Sequence, residues 1–100
     1  MTMAEALDQA GQELRGTDGN EIKSSKLKKR AAELSGRKEG SIQPSDFCHN
    51  RINDGINLSE DGARLPPYDR PVFLRVRRGF YKYVGPDYKY DGEVVHEPRR

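Results

Sequence analysis

Four cations share one short stretch that contains no acid: Arg75, Arg77, Arg78 and Lys82, within residues 71–85, PVFLRVRRGFYKYVG. A guanidinium presents its N–H donors in a planar fork that matches phosphate oxygens. Such a cluster is suited to neutralising a nucleic-acid backbone or to entering a narrow minor groove. A second polar group occupies residues 41–55, SIQPSDFCHNRINDG. There Arg51 can pair bidentately with guanine, and Asn50 or Asn53 with adenine; His49 stands beside them as a third base contact. Ser41 and Ser45, with the backbone N–H groups of a helix start, can hold a phosphate. A third group, Lys26, Lys28, Lys29 and Arg30, would lie near the flanking backbone. Each group has a plainer reading beside it. Asn50, Asn53 and Asp54 are residue types that close turns with their own side chains, and a lysine run is commonly just a solvated face.

Catalytic chemistry finds no assembled set. Cys48 and His49 are adjacent, with Asp46 and His96 elsewhere, whereas zinc takes spaced Cys and His pairs. A Cys–His hydrolase would need its base from another element, and only His96 is available. No glycine loop for phosphates and no serine in a nucleophile setting occurs. The chain is therefore expected to be non-enzymatic, with no metal and no cofactor. Cys48 is expected as a small core residue. Tyr81, Tyr83, Tyr88 and Tyr90, with Phe73 and Phe80, invite base stacking. In a chain so poor in aliphatics, covering a sheet is the stronger reading.

The charge is unevenly spread. Residues 23–38 carry +6 and residues 70–82 carry +5, while the rest of the chain sums to −9, for a net +2. Folded together, the two basic blocks would make one face attractive to phosphate. Only 33% of the 100 residues are hydrophobic, so the core must be thin. Length allows one domain, residues 1–100, with a loose tail at about 97–100. No apolar run is long enough for a membrane span. The N-terminus lacks the apolar core of a signal peptide, and a lone cysteine suits a reducing cytoplasm, so a cytoplasmic protein without membrane contact is expected.

The elements that must position these groups can be read in order. Residues 4–14 are helix-forming, with Thr2 as cap and Glu5 completing a capping box. Residues 16–20 form a turn cluster, and residues 21–23 a short extended piece. Ser24 and Ser25 then cap a helix over residues 26–34, with Leu27, Ala31 and Leu34 facing inward and Gly36 stopping it. In residues 44–57, Pro44 suits a first helical position, and Cys48, Ile52 and Ile56 recur every four residues, which predicts a third helix. Residues 58–70 form a loop containing Pro66 and Pro67. Residues 72–77 and 80–84 are strands joined by a tight turn at Arg78 and Gly79. Residues 93–96 can add a short strand. This order predicts an α+β winged helix-turn-helix: three helices followed by a β-hairpin wing. The alternative is a generic α+β domain whose hairpin lies over three helices.

Residues 41–55, SIQPSDFCHNRINDG, with the later GFYKYVG (79–85) and YKYDG (88–92), resemble a small module of bacterial and phage proteins. Its pattern runs Gly-Ser-Ile-x-Pro-Ser-Asp-Tyr-Cys-Tyr-Asn-Arg, then a Gly-x-Tyr-x-Tyr hairpin, alone or attached to restriction-type nucleases. The similarity covers roughly residues 20–95. Phe47 and His49 stand where that pattern has tyrosines, so no role of those rings carries over. The resemblance implies a winged-helix-like, DNA-associated module and supplies no catalytic residue.

Together these readings lead to a double-stranded DNA binder, with transcription regulation as its setting. Residues 44–57 would enter the major groove and the basic hairpin 72–84 would lie on the backbone. A second class of function is a protein adaptor, for instance a phage or defence inhibitor of a nuclease or other nucleic-acid enzyme. RNA is a third partner to be separated from DNA by competition.

Overall fold

The computed structural model describes residues 1–15, 21–56 and 58–98. The first helix, α1 (Met3–Leu14), begins where the sequence puts a capping box. Thr2 Oγ1 accepts from the Glu5 N–H at 3.1 Å, and the Glu5 carboxylate accepts from the Thr2 N–H at 2.9 Å. Two otherwise orphaned donors are thereby satisfied at once. The helix buries Ala6, Leu7, Ala10 and Gly11. The turn expected at residues 16–20 lies outside the described residues.

A two-residue strand, β1 (Ile22–Lys23), leads directly into α2 (Ser24–Ser35). Helix α2 ends at Gly36, whose φ of 72° is the left-handed value that glycine adopts without a Cβ penalty. Two short 3₁₀ turns follow, Glu39–Ser41 and Pro44–Phe47. The strands β2 (Arg51–Asn53), β3 (Phe73–Arg77), β4 (Phe80–Tyr83) and β5 (Val95–Glu97) complete the chain. One sheet is antiparallel with order β1-β4-β3; the other is a parallel pair, β2 with β5.

The core lies between the helices and the larger sheet. It gathers Ala6, Leu7, Ala10, Leu27, Ala31, Ile42, Phe47, Cys48, Phe73 and Tyr81. Small residues let α1 approach the sheet closely. A Cβ placed on Gly11 would stand 2.9 Å from the Phe73 ring and nearer still to Tyr83, so only glycine fits that crossing.

This architecture is α+β, but it is not a winged helix-turn-helix. Among the described residues there are two α-helices, not three, and the strands form a mixed arrangement rather than a terminal wing. The expected third helix, residues 44–57, is overturned. Its described residues, 44–56, hold one 3₁₀ turn, a chain bend and the strand β2. The four-residue spacing of Cys48, Ile52 and Ile56 arises without a helix. Cys48 is extended (φ −103°, ψ 139°) and bridges Phe73 in parallel. The His49 N–H donates to the Phe73 carbonyl at 2.8 Å. Asn50 then uses its side-chain amide as a strand would use its backbone, donating to the Arg75 carbonyl and accepting from the Arg75 N–H, both at 2.9 Å. Asn, Asp and Ser side chains offer the backbone such alternatives to a helix, and this segment is dense in them.

Of the residues expected as a tail, 99–100 lie outside the described residues, and Glu97 belongs to a strand. Strand β5 reaches Glu97, and the Asp54 N–H donates to the Glu97 carbonyl at 2.8 Å.

Candidate functional site

The two basic blocks of the sequence meet in space. Pairing of β1 with β4 sets Lys23 opposite Phe80, and the Ser24 N–H at the start of α2 donates to the Gly79 carbonyl of the β3–β4 turn at 2.8 Å. The helix that carries the lysines therefore starts against the turn that carries Arg78. Where they join, a polar cleft of about 510 Å³ opens. Ser24 and Lys28 line it from α2, Ser45 from the Pro44–Phe47 turn, Arg75, Arg78 and Tyr81 from the hairpin, and Glu97 from β5. A hollow of about 360 Å³ shares Arg75, Arg78 and Glu97 with it.

The charges in this region are only partly matched. Arg75 Nη1 lies 2.9 Å from both oxygens of Glu97, and Arg51 donates to the same carboxylate. Arg75 Nε is buried and has no hydrogen-bond partner, which is uncommon for a buried polar group. Among the described residues, neither Lys28 nor Arg78 forms an ion pair. Arg77, by contrast, pairs with Glu21 at 2.9 Å and lies 4.0 Å above the Phe80 ring. Arg30 pairs with Glu13 at 2.7 Å. These two cations of the basic blocks are largely committed within the domain.

The cleft holds neutral donors as well. Tyr81 is buried, which pushes its hydroxyl up to about 12. It is thus a neutral hydroxyl at any physiological pH. Beneath the cleft, Asn53 Nδ2 donates to Ser45 Oγ at 3.0 Å and to buried Asp46 at 2.8 Å. Cys48 is fully buried, and desolvation pushes its thiol up to about 12. Thiolate chemistry needs a lowered value and access; Cys48 has neither.

The residues expected to read bases are not presented together on a helix. Asn50 spans the Arg75 backbone, Asn53 holds Ser45 and Asp46, Arg51 holds Glu97, and the His49 ring bonds the Gly85 carbonyl at 2.8 Å. Ser41 Oγ donates to the Lys38 carbonyl at 2.8 Å and stands away from the cleft lining. Lys29 and Lys82 are exposed. Of the expected contacts, the fold brings Ser45, Lys28, Arg75 and Arg78 to one cleft.

Two residues with large roles here gave no signal in the sequence. Arg64, in the long loop, donates to the carbonyls of His49 and Arg51 at 3.3 and 3.1 Å and so fixes the bend before β2. Desolvation lowers its pKa from the usual arginine range. Glu97 neutralises arginines 46 and 22 residues away in the chain. Neither partnership has a local spacing by which to find it. Among the described residues, no group of three or more His, Cys, Asp and Glu side chains is placed to hold a metal ion, and no helix is long and apolar enough to cross a membrane.

The comparison with known families follows from the same residues. The family model described as "Domain of unknown function (DUF7225)" matches residues 5–100. The chain belongs to this family. The matched span includes α2, the hairpin and β5, and hence every residue that lines the cleft. No curated protein and no solved structure matches the chain.

Proposed function

We propose that this DUF7225 domain binds nucleic acid, duplex DNA foremost, by its phosphate backbone. The contact face is the one where α2 meets the β3–β4 turn. The observation that carries the reading is the shared cleft of Lys28 and Arg78, one from each basic block, with no carboxylate paired to either among the described residues. Exposed Lys26, Lys29 and Lys82 extend the same basic character. Phosphate contacts position a protein on a duplex without reading its sequence. His49, Asn50, Arg51 and Asn53 are held by internal bonds, so binding is expected to be tolerant of sequence.

Fluorescence anisotropy with mixed-sequence duplexes tests this. Four phosphate contacts, from Lys28, Lys29, Arg78 and Lys82, imply roughly a hundredfold loss of affinity between about 50 and 200 mM salt. Substituting Lys28→Gln and Arg78→Gln together should weaken binding across sequences and lower the slope of log affinity against log salt by about two. Absence of salt-sensitive binding even at low ionic strength would sink the proposal, and co-purification with a single protein partner would then favour an adaptor.

A further inference from the structure

We propose that the cleft between α2 and the hairpin is a seat for one phosphate monoester, the terminal phosphate of a nucleic-acid strand, and so makes this domain a reader of strand ends. The inference rests on the nucleic-acid reading above and adds to it a site of defined chemistry.

A diester phosphate within a strand carries one charge and is met by cations spread along a surface. The cleft is built differently. Lys28 descends from α2, Arg75 and Arg78 come from the hairpin, and all three face one concave space. A terminal phosphate carries about −1.5 to −2 charges at neutral pH and three strong acceptor oxygens. Convergent cations suit that dianion, and arginine suits it by bidentate contact. The Ser24 and Tyr81 hydroxyls add neutral donors at the wall. Arg75 supplies a further argument. Glu97 engages its Nη1, yet its Nε is buried and bonded to nothing. Because that Nε is closed to solvent, an oxyanion reaches the Arg75 guanidinium by displacing the Glu97 carboxylate from Nη1, and the Glu97 side chain is about one-third exposed (36%). A cleft of about 510 Å³ is roomier than a phosphate needs, so the attached sugar can follow it in.

The experiment compares otherwise identical blunt duplexes bearing 5′-phosphate, 3′-phosphate or hydroxyl ends, by anisotropy at moderate salt. The expected result is about tenfold tighter binding to one phosphorylated end than to the hydroxyl end. Lys28→Gln or Arg78→Gln should abolish that ratio, whereas Lys29→Gln, outside the cleft, should lower affinity for all ends and keep the ratio. Inorganic phosphate and a nucleoside monophosphate, added as competitors, separate a strand end from a free monoester. Thermal protection by the mononucleotide and by inorganic phosphate, in a domain that ignores duplex DNA, would support the monoester seat and refute both the nucleic-acid reading and the reading of strand ends. Salt-sensitive duplex binding with equal affinity for all three ends, and no protection by inorganic phosphate, would overturn the seat and leave the backbone reading standing.

Discussion

Replacing Asn50 by alanine removes a side chain that serves as a strand. Its amide donates to the Arg75 carbonyl and accepts from the Arg75 N–H, each at 2.9 Å. Both Arg75 backbone groups lose their partner in the variant, in a partly buried setting. A net hydrogen bond contributes about 1 kcal/mol, and an orphaned buried group costs ~1–3 kcal/mol. Partial water access places the sum near the lower end, at ~2 kcal/mol. In a domain of this size about 1 kcal/mol moves Tm by ~4–8 °C, so a fall of ~8–16 °C is expected. Urea unfolding followed by far-UV circular dichroism should show the same loss, as a midpoint about 1 M lower at unchanged slope. The comparison that gives the experiment its force is Arg78→Gln, at an exposed position without an ion pair. That variant should stay within ~0.5 kcal/mol of the parent in stability and lose affinity for DNA. If Asn50→Ala proves as stable as the parent while losing affinity, Asn50 is a base contact and the structural assignment is wrong.

Other expectations follow from the same geometry. Gly11→Ala should destabilise by ~1–3 kcal/mol through overpacking against Phe73 and Tyr83, partly offset by about 1 kcal/mol of helix propensity; a more stable variant in thermal melts would contradict the packing of α1. Burial pushes the Tyr81 and Tyr83 hydroxyls from 10.0 up to about 12, the Tyr83 hydroxyl also being bonded to Asp8. The unfolded chain then releases these protons first, so the stability they contribute is complete below pH 10 and is lost as pH rises toward about 12. Ultraviolet titration of the folded domain should find two tyrosines ionising late, with the shift abolished in denaturant. Cys48 should resist thiol reagents until the domain unfolds, because burial holds its thiol up to about 12; rapid labelling of the native protein would contradict its place in the core. Glu97→Gln should loosen β5 by removing the carboxylate shared by Arg51 and Arg75, and hydrogen exchange should quicken at the Asp54 N–H, which bonds the Glu97 carbonyl.

Local physics wrote much of this domain into the sequence. The capping box at Thr2 and Glu5, the inward stripe of Leu27 and Ala31, the stop at Gly36 and the turn at Arg78 and Gly79 all depend on neighbours within a few residues. Each was legible and each stands in the structure. So was the partition of charge into two basic blocks, since composition needs no fold. Residues 44–57 were decided otherwise. Their apolar spacing fits a helix, yet Asn50 finds its partner in Arg75, the bend is held by Arg64, and Arg51 meets Glu97. Each of these bonds joins residues far apart in the chain, so the local pattern that favours a helix carries no trace of them. Tertiary structure also decided which cations remain available to a partner. Arg30 and Arg77 are spent on Glu13 and Glu21, while Lys28 and Arg78 are set across one cleft by the pairing of β1 with β4. A sequence can count charges, but only the closed fold determines which of them still face one another across open space.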